Sequence, residues 1–285
     1  DITNGKEKGN LKELENFQHV SSPGMCKLCT NHCQLTINTF TNGQKFISGN
    51  KCERGAGKKL QNDLPNMVAY KNQLFNSIPL KAGGRAKIGL PRALNIYEML
   101  PFWAELFRSL DCDVVLSKVS NRNLYMKGQN TIPSDTVCYP AKLVHGHIVD
   151  LLEKNVDAIF YPCMSYTFDE GISDNCYNCP VVAYYPELIQ ANISDIEKTN
   201  FLYPHLGIEN HKLFAEKMYE EFKNIIPNLT KKEMEKATEI AFKTYYEYRE
   251  TIRQKGSRVL KFAEENNHPV IILASRPYHI DPEIN

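Results

Sequence analysis

The cysteines are the residues of this 285-residue chain with the clearest chemical potential, and there are nine of them. Cys138 stands directly before a helical pattern with Pro140 in its first turn, and Cys163 directly follows the apolar strand pattern DAIFY. In an open parallel sheet, helix N-termini and the loops after the strands share the carboxyl edge. We therefore expect the Cys138 and Cys163 thiols to lie close together, where two thiolates would suit a metal cluster.

A C-x2-C pair adds two more thiols at the same place. Cys176 and Cys179 lie in the loop between DAIFY and a further predicted strand, residues 180–185. The pair alone has low specificity, because thioredoxin-like redox motifs and zinc sites also use it. Its position near Cys138 and Cys163 favours an iron-sulfur cluster, and the helix N-terminus behind Cys138 would stabilise thiolate charge.

A separate group of four cysteines occurs upstream with C-x2-C-x3-C-x18-C spacing: Cys26, Cys29, Cys33 and Cys52. Apolar residues on either side of Asn42 and Gly43 predict a hairpin that brings Cys52 back to the first three. Four thiolates so arranged predict a bound metal. Zinc and iron-sulfur both remain open, because neither the paired knuckles of zinc sites nor a full iron-sulfur spacing is met, and His32 is an alternative ligand.

Several charged or polar residues near the cysteines could tune a cluster. Arg92 follows the first strand of the predicted sheet and could hold an anionic cluster or a phosphate. Lys142, His145 and His147 lie within three turns of Cys138 and are candidates for cluster tuning or proton transfer. A plain structural role is the alternative for each of them.

Two other groups of residues have weaker signals. Arg276, Tyr278 and His279 follow the last predicted strand and could face the same cleft. Cys112 stands alone between a helix and a strand, so we interpret it as a small buried hydrophobic residue.

The elements that must position these side chains predict an α/β fold. Strand patterns at residues 86–90, 113–117, 157–161 and 180–185 alternate with helical patterns at 91–110 and 139–155, which is typical of a Rossmann-like, mostly parallel sheet over 84–200. Pro101 should kink the first helix. Helix formers fill residues 205–267, with Gly256 as a candidate break and tyrosines that we assign to a core face rather than to a base-stacking surface. A strand at 268–275 opens a second α/β domain over 268–285.

The rest of the chain limits the class of protein. Residues 1–23 are polar and predict a linker with a short helix around 11–17, residues 24–60 form the cysteine-rich module, and a connector follows. The 34 Lys and Arg balance 33 Asp and Glu, which gives no electrostatic argument for nucleic acid or an anionic membrane. We find neither an apolar run of about 20 residues nor a signal peptide, so a soluble cytoplasmic protein cut from a longer chain is expected.

Five blocks of this sequence resemble the acyl-CoA dehydratase activase-related proteins: IGLPRALNIYEMLPFW, TIPSDTVCYPAKLVHGHI, DAIFYPC, NCP and SRPYHIDPEIN. These are large anaerobe proteins akin to 2-hydroxyacyl-CoA dehydratases and double-cubane cluster proteins. The resemblance implies a redox module in which an ATP-dependent activase delivers low-potential electrons to a cubane iron-sulfur centre, 4Fe-4S or double cubane. In the dehydratases that centre reduces a 2-hydroxyacyl-CoA thioester to a ketyl radical, and in double-cubane proteins it reduces small molecules.

The resemblance also implies roles for particular residues. Cys138 and Cys163 match the two cluster cysteines that the first Rossmann-like domain of the relatives supplies. The third ligand is either Cys179, with Cys176 behind it, or a residue beyond Asn285. The expected partners are an activase domain or subunit, an acyl-CoA substrate and a second copy of the chain. The activase's own nucleotide site is not expected in this segment, which contains no G-x-x-x-x-G-K-[ST] motif.

The leading hypothesis is therefore that the chain is part of an iron-sulfur oxidoreductase or dehydratase-like lyase system. The alternative is a non-catalytic scaffold, in which a zinc ribbon and a Rossmann-like domain dock the partner domains of a large protein. The substrate and the number of iron atoms are left open by the sequence.

Overall fold

The computed structural model describes residues 18–29, 31–58, 64–81, 83–171 and 173–284. The short helix predicted around 11–17 lies outside these residues. The chain divides into two compact units, residues 1–64 and residues 65–285. Within the described residues, no helix combines the length and the apolar character needed to cross a membrane.

The first unit contains a three-stranded antiparallel sheet in the order β1 (His19–Met25), β2 (Gln34–Phe40) and β3 (Lys45–Ser48). β2 and β3 form the predicted hairpin, with Gly43 in the turn at a φ of 81° that favours glycine. The prediction of a linker over residues 1–23 is wrong at its end, because residues 19–23 belong to β1, which pairs with β2 along its whole length. β1 is exposed on both faces, so it lacks the apolar alternation that marks a strand.

The second unit is built on a parallel sheet, which confirms the α/β class. Its four strands follow the order β5-β4-β6-β7, with bounds β4 (Lys87–Leu90), β5 (Asp113–Leu116), β6 (Ala158–Phe160) and β7 (Asn200–Leu202). The chain leaves β4 towards β5 and then returns to β6 on the other side. The topological switch point of the sheet therefore lies between β4 and β6.

Seven α-helices lie in the described part of the chain: α1 (Met67–Asn76), α2 (Ile96–Arg108), α3 (Arg122–Gly128), α4 (Tyr139–Leu152), α5 (Pro180–Asn192), α6 (His211–Phe222) and α7 (Lys231–Glu265). α4 confirms the predicted helix behind Cys138, and α2 confirms the first helix in shortened form. The predicted helical segment is divided between α6 and α7, and Gly256 does not interrupt α7.

The strand predicted at residues 180–185 is wrong, because these residues begin α5. Val181, Val182 and the tyrosines favour a strand by local propensity, but tertiary packing overrides that preference. Val182, Tyr185 and Ile189 are buried at helical spacing. The fourth strand of the sheet is β7 instead, whose three residues are too few to show a period.

The strand predicted at residues 268–275 is also not formed. Its aliphatic side chains are exposed, with Ile271 at 94% and Ile272 at 85%. A β-strand needs a neighbour for its N–H and C=O groups, and no strand in the described ranges pairs with this segment. The second α/β domain that the strand was expected to open stays a prediction.

The core of the second unit lies between the sheet and the helices on its faces. Its largest fully buried side chains include Trp103, Phe107, Phe160, Phe214 and Tyr245. Tyr245, on α7, is hidden in the core, as expected for a packing face rather than a base-stacking surface.

α3 packs closely on α4 through two glycines, Gly128 on α3 and Gly146 on α4. A Cβ atom on Gly146 would lie 2.1 Å from the Leu124 carbonyl oxygen, so only glycine permits this crossing. The close approach positions the α4 residues on either side of Gly146.

Candidate functional site

Two cysteines occupy matching positions at helix N-termini. Cys138 is the N-cap of α4 with φ −62° and ψ 150°, and Cys179 is the N-cap of α5 with φ −65° and ψ 154°. A proline follows each cysteine within the first two helical positions, which suits a residue without an N–H. Within the described residues neither thiol makes a capping hydrogen bond, so both sulfur atoms are free of that role.

Cys163 continues the edge of β6 towards the end of β7. Its backbone N–H donates to the Pro204 carbonyl at 3.0 Å, and its carbonyl accepts from the Leu206 N–H at 3.0 Å. Its side chain is buried. Burial and the Glu187 carboxylate raise the pKa of the Cys163 thiol to about 12, so this thiol stays protonated until a cation stabilises its thiolate.

Three thiols lie within electrostatic range of one buried tyrosine, Tyr161. Burial raises the pKa of Tyr161 well above its usual value, and Tyr185 and the thiols of Cys163, Cys179 and Cys138 add to the effect. The Tyr161 hydroxyl is buried and has no hydrogen-bond partner among the described residues. Burial is the main cause of the raised pKa of Tyr278, and the thiols of Cys179 and Cys138 add to it. Side chains from α4, α5, the end of β6 and the C-terminal segment are thus electrostatic neighbours.

Cys176 lies elsewhere in its loop. Its carbonyl accepts from the Thr167 N–H at 2.9 Å, next to a bridge between Tyr166 and Tyr177. Partial burial and the Asp169 carboxylate raise the pKa of its thiol. The electrostatic neighbours of Cys176 are therefore loop residues, whereas those of Cys179 are the tyrosines at the sheet edge.

A second set of ligand-type atoms surrounds Cys163. One ligand atom from each of Cys163, Glu187 and His205 lies within 4.8 Å of the others. The His205 Nε2 and Glu187 Oε1 atoms are 2.8 Å apart, and about half of each side chain is exposed. Sequence reasoning missed Glu187 and His205, although a histidine just beyond β7 reaches the same sheet edge as Cys163.

His145 is connected to this space through a tyrosine. The Thr131 hydroxyl donates to the Gly128 carbonyl, so Thr131 Oγ1 must accept from His145 Nδ1 at 2.7 Å. His145 Nε2 then accepts from the Tyr185 hydroxyl at 3.0 Å. Burial lowers the pKa of His145 to about 4, and burial with the nearby Cys138 thiol raises the pKa of Tyr185 to about 12. Both groups are therefore neutral at neutral pH.

His147 belongs to a different, fully buried network. Its Nδ1 lies 2.7 Å from Ser117 Oγ and its Nε2 lies 3.0 Å from Ser120 Oγ. Ser120 also donates to the Asp281 carboxylate, which accepts from the Tyr97 hydroxyl at 2.5 Å. Burial lowers the pKa of His147 to about 3, so the ring is neutral. This network ties the C-terminal segment to the sheet rather than facing the thiols.

The C-terminal segment is held in place at two further points. The Tyr139 hydroxyl donates to Glu283 Oε1 at 2.9 Å, directly beside Cys138 in sequence. The Asn72 amide donates to the Ile280 carbonyl at 3.0 Å. These bonds and Asp281 fix the turn that carries Tyr278.

The remaining predicted residues have structural contacts. Arg92 donates to Asn76 Oδ1 at 3.1 Å and lies over the Phe75 ring, while its backbone N–H donates to Ser117. The Lys142 ammonium donates to the Asp135 carbonyl at 2.8 Å and so holds the loop before Cys138. Their roles toward a cluster stay predictions.

Two of the predicted residues of the C-terminal segment bond to each other, because the Arg276 N–H donates to His279 Nδ1 at 3.0 Å. This bond closes the turn that begins at Pro277. Cys112 is buried, and its thiol lies 3.5 Å from the Leu110 carbonyl, as its interpretation as a packing residue requires.

The four upstream cysteines lie within the first unit. The Cys26 N–H donates to the Cys33 carbonyl at 2.9 Å, and Gly55 packs so closely that a Cβ atom there would lie 3.9 Å from Cys26 Sγ. The turn after Cys52 therefore returns to Cys26. His32 has a φ of 42°, which allows the tight turn between Cys29 and Cys33. Metal binding here stays a prediction, because these thiols do not form a group as compact as Cys163, Glu187 and His205.

Comparison with known proteins gives one family. Residues 87–285, more than half of the chain, match the family model described as CoA enzyme activase uncharacterised domain (DUF2229). Neither the curated proteins nor the solved structures provide a match. The matched region contains the whole parallel sheet and Cys138, Cys163 and Cys179. The chain therefore belongs to the CoA enzyme activase family and is related to the activases of acyl-CoA dehydratases.

Proposed function

We propose that the second unit holds an iron-sulfur cluster on Cys138, Cys163 and Cys179 and passes low-potential electrons from an ATP-dependent activase to a dehydratase or reductase reaction. The observation that carries this proposal is that Cys138 and Cys179 are both helix N-caps with thiols free of a capping bond, and that both thiols and the Cys163 thiol act electrostatically on the buried Tyr161. When bound, the cluster supplies one-electron chemistry at low potential. The substrate would be a CoA thioester or another small molecule, and the location would be the cytoplasm.

The donor set fits such a group. Three thiolates are soft ligands of the type that iron-sulfur clusters use. Cysteines of one cubane bind different iron atoms, so they need not approach one another as closely as the ligands of a single ion. The unpartnered Tyr161 hydroxyl points to the same conclusion, because a buried donor without an acceptor is unfavourable and a sulfur atom nearby would accept its hydrogen bond.

The protein would tune the site through three kinds of group. The N-termini of α4 and α5 place positive dipole ends behind Cys138 and Cys179. The Tyr161 hydroxyl would donate a hydrogen bond to a bound cluster, and Tyr185 and His145 form a neutral pair behind Cys138. Exposure decreases from Cys138 through Cys179 to Cys163, so electrons would enter at the exposed Cys138 side.

Anaerobic purification of the full chain tests the proposal. We expect a brown protein with iron and acid-labile sulfide, and an electron paramagnetic resonance signal after reduction. Cys138→Ala, Cys163→Ala and Cys179→Ala should each remove the cluster signal. Cys176→Ala is the matched control and should retain it, because Cys176 lies in the same loop as Cys179 but among other neighbours. Anaerobic protein without iron or colour would contradict the proposal.

A single metal ion is the second candidate, favoured by the compact group of Cys163, Glu187 and His205. One zinc ion there would suit the alternative of a non-catalytic docking scaffold. His205→Ala separates the two candidates. The cluster proposal expects iron and sulfide to be retained in this variant, whereas a single-ion site would lose its metal. Cys163→Ala removes both and cannot replace this experiment.

A further inference from the structure

A cavity of about 350 Å³ opens at the carboxyl edge of the sheet in the second unit. Leu94 and Asn95, which follow β4, form one side, and Tyr177 and Asn178, which follow β6, form another. The cavity therefore lies at the switch point between β4 and β6, where open α/β sheets bind their ligands. Its size is within the range of small-molecule sites.

The cavity contains an unsatisfied carboxamide. Asn95 is 7% exposed, and both its Oδ1 and its Nδ2 lack a hydrogen-bond partner in the described part of the chain. A buried amide is normally bonded, so a free donor and a free acceptor on one side chain indicate a ligand that bonds to both. Glu98 lies one turn further along α2 and lines the same cavity.

The charges exclude a phosphate from the interior. The first N–H groups of α2 already donate within the preceding turn, from Ile96, Tyr97 and Glu98 to carbonyl oxygens at 3.0 to 3.2 Å. Among the described residues of the lining, Glu98 and Glu170 are acidic and Arg276 is the one cationic residue. A neutral group bonded through its edge therefore fits the interior, while an anionic group could reach only Arg276.

Aromatic side chains provide a surface for a flat ring. Phe168, Tyr177 and Tyr278 line the cavity together with Val182 and Leu94. Bases stack on such side chains, and the carboxamide of asparagine pairs with the N6 donor and a ring acceptor of adenine. The second hydrogen on the adenine N6 would have the Glu98 carboxyl as an acceptor within the same cavity. Burial raises the pKa of Glu98.

We propose that this cavity binds an adenine ring, with Asn95 and Glu98 reading its amino edge and Arg276 placed for a phosphate of the same ligand. Free adenine nucleotides and coenzyme A both carry this ring. The site borders the three thiols, because Tyr278 lines the cavity and also lies near Cys138 and Cys179. The proposal does not depend on an iron-sulfur cluster.

Binding of adenosine and inosine to the full chain tests the proposal by calorimetry. Inosine has an oxygen in place of the amino group, so it should bind about tenfold more weakly than adenosine. Asn95→Leu keeps approximately the shape but loses both the donor and the acceptor, and it should abolish this preference. Asn123→Leu, at an exposed position on α3, is the matched control. Equal binding of the two nucleosides, or no binding of adenosine at millimolar concentration, would overturn the proposal.

A second measurement uses only the wild-type protein, so it applies even if the Asn95 variant does not fold. Cys176 lines the cavity, so adenosine should slow its alkylation in the wild-type protein more than inosine does. Equal protection by both nucleosides would overturn the proposal. AMP and desulfo-coenzyme A should each displace adenosine, and the tighter of the two identifies the natural carrier of the ring. Failure of both to displace it would also count against the site.

Discussion

The two groups of cysteines in this chain are positioned by opposite means. In the first unit the four cysteines lie between residues 26 and 52, joined by one hairpin. In the second unit, Cys138 and Cys179 are helix N-caps and Cys163 follows the end of β6. These residues are far apart in the sequence, so their positions in space depend on how the helices pack on the sheet. One group is local and the other depends on the whole fold.

The cores of the two units differ in the same way. Among the described residues of the first unit, the only buried apolar side chains are Cys26 and Cys33, each 8% exposed. The second unit buries Trp103, Phe107 and Phe160 among many others. A unit of this size without a core needs another source of stability, such as a bound metal. The comparison predicts that metal makes the first unit fold, whereas the second unit folds around its own core.

Removing metal from the first unit should have the largest effect. A structural metal contributes about 10 kcal/mol or more to small domains of this kind. Treating the full chain with a chelator, or replacing Cys26 and Cys33 with Ser, should abolish hydrogen-exchange protection of β1 to β3. Protection of β4 to β6 should remain, which provides the internal control. A sheet in the first unit that stays protected without metal would break the comparison.

The two buried histidines should give the second unit a pH-dependent stability. Burial lowers the pKa of His145 to about 4 and that of His147 to about 3, below the value of an unfolded chain. The unfolded chain therefore binds protons first as the pH falls, so this stability is complete above about pH 6.5 and decreases below it.

Between about pH 7.5 and about pH 5 we expect a loss of about 2 kcal/mol per histidine in urea unfolding of the second unit. His147→Gln should remove roughly half of the pH dependence. His268→Gln, at an exposed position, should leave it unchanged. An unfolding free energy that does not fall over this range would contradict the buried neutral rings.

Tyr161→Phe should have the smallest effect and the most specific one. The substitution removes one hydrogen bond to the proposed cluster. Because that hydrogen bond favours the reduced form of the cluster, its loss should make the reduction potential more negative by about 40 mV. Iron content and the melting temperature should change little. Tyr246→Phe, at an exposed position on α7, is the control. An unchanged potential in Tyr161→Phe would mean that the hydroxyl does not face the cluster.

Local signals in the sequence identify part of the site. Cys138 before Pro140 and the apolar spacing of α4 predict a helix N-cap, and the structure confirms it. Cys163 directly after an apolar run predicts a position at the sheet edge. Cys179 is different, because its neighbours predict a strand and the chain forms α5 instead. Its role as a ligand stays a prediction, and its position at a helix N-terminus has no local signal in the sequence.

Other parts of the site have no local signal. Tyr161, Glu187 and His205 are ordinary members of a strand end, a helix and a loop until the fold brings them together. The distinction between His145 and His147 is of the same kind. Both lie behind Cys138 on α4, yet one bonds to Tyr185 and the other to Ser117 and Ser120.

The sequence by itself determines the α/β class, the helix behind Cys138, the hairpin before Cys52 and the family, because these depend on short-range periodicity, turn residues and motifs. Only the tertiary structure decides which thiols share a space, that residues 180–185 are helical, and that Asn95 is left unpaired in a cavity. Burial and partner choice depend on residues far apart in the chain, and local patterns carry no information about them. Cys138 and Cys163 thus follow from the sequence, while Cys179 and Tyr161 gain their places beside them only through the packing of the sheet.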